Sequence, residues 1–167
     1  MVAQDDDSVT QDESRPPTLE DLLSLCSELN RQKAKYIVIG GMAMLQQGFT
    51  RATEDIDLLV DASSKNFHRV REALLSLPDQ AAKELADSDL ETYSVIRVAD
   101  EIVVDLMSEA CGLGYSSAEE GIQWVKIRSV EIPFASAELM LKLKQGVREK
   151  DVLDRRFLTA LLAGKKK

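Results

Sequence analysis

The chain has 167 residues, of which 44% are hydrophobic, 30% charged and 5% aromatic, a balance that fits one globular domain with its own core. Its 21 basic and 29 acidic residues give a net charge of −8, which argues against a protein that lives on bulk contact with nucleic acid. Two distant cysteines and a single histidine, His68, exclude a His-rich zinc site and make a serine–histidine triad implausible, which narrows the chemistry towards carboxylates. In chain order, residues 1–17 read as a disordered acidic tail ahead of one domain over 18–163, and their polar start is unlike a secretory leader. Thr18, with Asp21 three residues on, caps a helix over Leu19–Lys33 whose Leu22, Cys26 and Leu29 share a face. Tyr36–Ile39 is a short strand ending in Gly40-Gly41, followed by a helix over Met42–Gln47 that Gly48 stops. Asp55–Val60 is a strand, and Ser63 or Ser64 caps a helix that Pro78 ends.

Residues 79–91 mix helix and loop. Tyr93–Val98 and Glu101–Met107 form a hairpin across Ala99-Asp100. Gly112–Gly121 is a loop with room for a turn of helix, Trp124–Phe134 supplies one or two strands, and Ser136 caps a helix carrying Leu139, Leu141, Leu143 and Val147. A last helix covers Lys150–Leu162. The order predicts an α/β (α+β) fold, a mixed sheet covered by helices. No apolar run reaches membrane length, so the expected setting is the cytoplasm with reduced thiols.

The informative stretch is Gly40-Gly41 followed, after a spacer of thirteen residues, by Asp55-Ile-Asp57-Leu. Side chains alternate along a strand, so Asp55 and Asp57 project from one face while Ile56 and Leu58 fill the other. Two carboxylates so placed repel unless a cation joins them, and hard divalent ions take oxygen ligands shared with phosphates. Asp105 lies in the middle of the apolar run Ile102–Met107, where a carboxylate is costly unless it points into a site. If that strand neighbours Asp55–Val60, three carboxylates converge and suit phosphoryl chemistry with two metal ions. The glycines would let backbone approach a phosphate at a helix N-terminus.

This pattern of Gly-Gly, spacer, Asp-x-Asp and later apolar-flanked Asp resembles the DNA polymerase beta-like nucleotidyltransferase superfamily. The string Gly40-Gly41-Met-Ala-Met, then Arg51, Thr53 and Asp55-Ile-Asp57, is similar to its small prokaryotic members, among them abortive-infection toxins and antibiotic nucleotidyltransferases. The resemblance implies that Asp55, Asp57 and Asp105 bind two Mg²⁺ ions (or Mn²⁺) and carry catalysis. It implies that Gly40 and Gly41 hold phosphates, with Arg51 and Lys144 as nucleotide contacts. The implied reaction moves a nucleoside monophosphate from a triphosphate to a hydroxyl on a small molecule, a tRNA or a protein, in a toxin–antitoxin or defence module with a cognate partner. The rival readings are a catalytically inactive, partner-binding version of the fold, and a glycosyltransferase that grips a nucleotide-sugar through Asp55 and Asp57. Arg51 and Lys144 each have a structural reading as well, as an ion-pair partner and as a helix-surface charge.

Overall fold

Thr18 starts helix α1 (Leu19–Arg31) in the computed structural model of the protein, which describes residues 14–165. The Thr18 side chain accepts the Asp21 backbone N–H, and the Asp21 carboxylate accepts the Thr18 backbone N–H at 2.7 Å. This reciprocal cap satisfies two donors that a helix start otherwise leaves open. The expected tail falls on residues 1–13, outside the described residues, and on 14–17, which are instead held to the fold. Ser14 donates to the Asp100 carbonyl at 2.8 Å, and Arg15 pairs with Asp21 and Glu101, both at 2.7 Å.

The chain continues through β1 (Tyr36–Ile39), α2 (Gly40–Gln46), β2 (Asp55–Val60) and α3 (Ser64–Leu74). After a 3₁₀ turn at Ala81–Glu84 come α4 (Asp89–Thr92), β3 (Val95–Ala99), β4 (Val103–Met107), the short pair β5 (Glu109–Ala110) and β6 (Leu113–Gly114), and α5 (Tyr115–Ala118). Strands β7 (Ile122–Ile127) and β8 (Val130–Ala135), then helices α6 (Ala137–Leu143) and α7 (Glu149–Lys165), complete it. Helix α2 therefore begins at the glycines themselves rather than at Met42. The expected helix through Val147 stops at Leu143, because Arg155 ties the loop down by donating to the Lys144 and Gly146 carbonyls; Val147 is left 94% exposed.

Six strands form one sheet in the order β3-β4-β2-β1-β8-β7. Strand β1 is antiparallel to β2 and parallel to β8, and β2 is parallel to β4. The sheet is mixed, and the fold is the α+β arrangement that the alternation of elements predicts. Strand β1 is buried along its whole length because it is central, as its β-branched, apolar run requires. Helix α1 packs against α3 and β8, while α6 packs against α7, α2 and β8. Ile37, Ile56, Leu58, Phe67, Val104 and Phe134 are fully enclosed in this core. Among the described residues, no helix is long and apolar enough to cross a membrane.

Candidate active site

The glycine pair leaves β1 directly over the aspartate strand, because the register sets Ile39 opposite Asp57. Gly40 adopts φ +69°, a left-handed conformation that side-chain-bearing residues avoid. A Cβ at Gly40 would lie 2.0 Å from Asp57 Oδ2, and one at Gly41 would lie 2.7 Å from Thr53 Oγ1. Both positions thus need glycine to seat β2 and the segment leading into it, independently of any phosphate.

Alternation along β2 buries Ile56 and Leu58 and leaves Asp55 and Asp57 half-buried on the other face. The parallel register of β2 and β4 sets Asp57 directly opposite Asp105, which is buried. One carboxylate oxygen from each of Asp55, Asp57 and Asp105 lies within 4.8 Å of the others. The convergence that was conditional on strand order is therefore present. Burial, followed by the charges of Asp55 and Asp105, pushes the Asp57 carboxyl up to about 7. Burial and Asp105 also raise Asp55, against the pull of Arg97. Carboxylates crowded in this way are neutralised by a proton or by a cation, and three hard oxygen donors suit Mg²⁺ or Mn²⁺.

Arg97 is a functional candidate that the sequence did not reveal. It stands opposite Asp105 in the β3–β4 register. Its Nε donates to Asp105 Oδ1 at 3.0 Å and its Nη2 to Asp105 Oδ2 at 3.0 Å, with a third contact from Nη2 to Asp55 Oδ2 at 3.3 Å. The hairpin connection spans Asp100–Ile102, not the two residues that composition suggests, and this sets the register.

Arg51 and Lys144 meet elsewhere in the same cleft. Arg51 Nη2 and Lys144 Nζ each lie 3.0 Å from Asp154 Oδ2, on α7. Asp154 is fully buried, and its Oδ1 and Arg51 Nε have no hydrogen-bond partner. Lys144 also approaches Asp151 Oδ1 at 3.8 Å, and Arg148 pairs with Asp151 at 3.0 Å. Arg51 therefore ties the segment before β2, and Lys144 the end of α6, to the last helix, while both still line the cleft.

That cleft has a volume of about 450 Å³. Its floor is Asp55, Asp57 and Asp105, and its walls carry Arg97, Arg148 and Lys150 as well as Arg51 and Lys144. A neighbouring hollow of about 310 Å³ shares Asp57, Met107, Lys144 and Arg148 with it and adds the apolar side chains of Ile39 and Met140. Acid at the base and base around the rim is the electrostatic pattern that a metal-bound polyphosphate would complement.

The model of a family described as "Nucleotidyltransferase of unknown function (DUF6036)" matches residues 18–109. Three solved structures share the fold. The lincosamide antibiotic adenylyltransferase LnuA, with lincomycin bound, is 17% identical, with a TM-score of 0.61 over 88% of this chain and 99% of that one. A candidate nucleotidyltransferase from Thermotoga maritima is 18% identical, with a TM-score of 0.54 over 85% of this chain and 92% of that one. An antigenic nucleotidyltransferase-like protein from Paracoccidioides brasiliensis is 18% identical, with a TM-score of 0.53 over 90% of this chain and 77% of that one. No curated protein matches the chain.

Proposed function

Because the chain belongs to this family of nucleotidyltransferases, whose model spans residues 18–109, we propose that it transfers a nucleoside monophosphate from a nucleoside triphosphate to a hydroxyl acceptor, with Mg²⁺ or Mn²⁺ bound. The observation that carries the proposal is the meeting of Asp55, Asp57 and Asp105 on the floor of a cleft whose walls are basic. Asp55 and Asp57 would hold both ions, and Asp105 would serve the ion on the acceptor side. Bound ions would neutralise charge on the phosphates and lower the cost of ionising the acceptor hydroxyl.

The protein's own residues supply position and electrostatics. Gly40 and Gly41 present backbone with no side chain in the way, and α2 starts at that point. Basic side chains at the rim would fix the β- and γ-phosphates and stabilise pyrophosphate as it leaves. The acceptor oxygen forms a bond to the α-phosphorus as the bond from that phosphorus to the bridging β-phosphate oxygen breaks. The hydroxyl proton passes to a carboxylate of the floor, for which Asp105 is our assignment. The antibiotic enzyme that shares the fold makes a small-molecule hydroxyl the first acceptor class to test, ahead of tRNA and protein hydroxyls. Free cysteines at 26 and 111 suit the reducing cytoplasm, where triphosphates are available.

The test is incubation with each α-labelled triphosphate, Mg²⁺ and fractionated lysate, with Asp57→Asn as control. Label entering one pool only with the wild-type chain is expected. No transfer, together with no Mg²⁺-dependent triphosphate binding by calorimetry, would leave the partner-binding reading in its place.

A further inference from the structure

Arg97 engages two of the three carboxylates that a metal ion would use. Its guanidinium engages both oxygens of Asp105, and the same Nη2 that meets Asp105 Oδ2 reaches Asp55 Oδ2. Two of the three carboxylates are thus already paired with a cation, while no hydrogen bond or ion pair joins Asp57 to it. An ion held by Asp55 and Asp105 and a guanidinium held by the same oxygens repel each other, so the two cannot share the site at full strength. The pairing with Asp105 therefore stands or falls with the occupancy of the floor.

The strand geometry allows that pairing to open. Strand β3 is an edge strand of the sheet, and the Arg97 side chain is 61% exposed, so it has solvent to swing into. Its backbone stays fixed by the pairing with β4, which keeps the released guanidinium at the cleft wall. A planar, permanently charged fork at that place matches a phosphate group as well as it matches a carboxylate.

We propose that Arg97 is a tethered counter-cation: it neutralises Asp55 and Asp105 while the floor is empty, gives way when a divalent ion binds, and then contacts the phosphates of the nucleotide. The proposal rests on the metal-binding reading of the floor. Its thermodynamic consequence is coupling. The ion must break the Arg97 contacts, and the triphosphate gives Arg97 a new partner, so each ligand strengthens the other by the same factor. Arg97 is in this sense a positioning residue, and the ion alone binds less tightly in its presence than in its absence.

The experiment is titration of Mn²⁺ into the full chain, without nucleotide, followed by the paramagnetic resonance of free Mn²⁺. Arg97→Gln is expected to bind Mn²⁺ about five- to tenfold more tightly than wild type, the lower end reflecting the solvent exposure of Arg97. Affinity that is unchanged or weaker in Arg97→Gln overturns the proposal but leaves the metal site standing. Absence of Mn²⁺ binding in both proteins removes the metal-site reading and this one with it. A second measurement does not depend on the variant folding: in ¹⁵N-labelled wild type, the Arg97 Nε–Hε resonance must shift as Mg²⁺ is added. A resonance that stays put while Mg²⁺ binds overturns the proposal.

Discussion

Replacement of Gly40 by alanine tests whether the glycine turn is there for the aspartates. A side chain at φ +69° costs about 1–2 kcal/mol in backbone energy alone. The new Cβ would also fall 2.0 Å from Asp57 Oδ2, 2.8 Å from its Cγ and 2.9 Å from its Cβ, so the Asp57 side chain must rotate away and the strand beneath it must give locally. Holding it off its preferred rotamer adds about 0.5–1.5 kcal/mol. Gly40→Ala is thus expected to lose about 2–3 kcal/mol of stability in urea with an unchanged slope. It should also lose at least about tenfold in Mn²⁺ affinity without any nucleotide present, because a metal-facing carboxylate has moved. A pure phosphate-cradle role would leave nucleotide-free Mn²⁺ binding intact. Wild-type Mn²⁺ affinity in a folded Gly40→Ala protein would refute the reasoning.

At the neighbouring position, Gly41→Ala should be destabilised by its clash with Thr53 and partly rescued by Thr53→Ala, whose Oγ1 is buried without a partner. A double-mutant cycle in urea should show coupling of about 1 kcal/mol, and strict additivity would contradict the packing account. Asp154→Ala strands two cations, Arg51 and Lys144, beside a buried gap. It should cost about 3–5 kcal/mol. That corresponds to a fall in Tm of about 6–20 °C for a chain of this size; a calorimetric shift under about 3 °C would mean the knot is not structural. The folded protein holds a proton on Asp57 up to about pH 7, whereas the unfolded chain releases it near the ordinary 3.8. More protons bound in the folded state means that this contribution to stability falls as pH rises through that window. The difference in urea stability between wild type and Asp57→Asn should therefore shift against wild type from about pH 4 to 7 and then level off, and a flat difference would disprove the crowding of charge.

What the sequence disclosed, and what it concealed, follows the range of the interactions. Asp55 and Asp57 were legible because alternation on one strand is a local property, and Asp105 because a charge inside an apolar run is conspicuous. Arg97 reads locally as an ordinary solvated residue on an alternating strand. A two-residue turn at Ala99-Asp100 would have set it opposite Ile102; only the longer connection, which pairs Ala99 with Val103, sets it opposite Asp105. The resemblance points to Arg51 and Lys144 as phosphate contacts, and both line the cleft, but their common partner Asp154 is 103 residues from Arg51 and no periodicity could connect them. The capping box at Thr18 was local and plain, whereas the ties of Ser14 and Arg15 to Asp100 and Glu101 reach 86 residues along the chain.

The position of Arg97 along the chain has a bearing on how the protein comes into being. The basic wall contributed by Lys144, Arg148 and Lys150 follows the entire acidic floor in sequence, so a chain made from its N-terminus holds all three carboxylates before that wall exists. Arg97 precedes Asp105 by eight residues, on the strand that pairs with it first in sequence. Once β3 and β4 pair, Asp105 and Asp55 therefore have a counter-charge supplied from within that hairpin, which does not depend on the later basic wall.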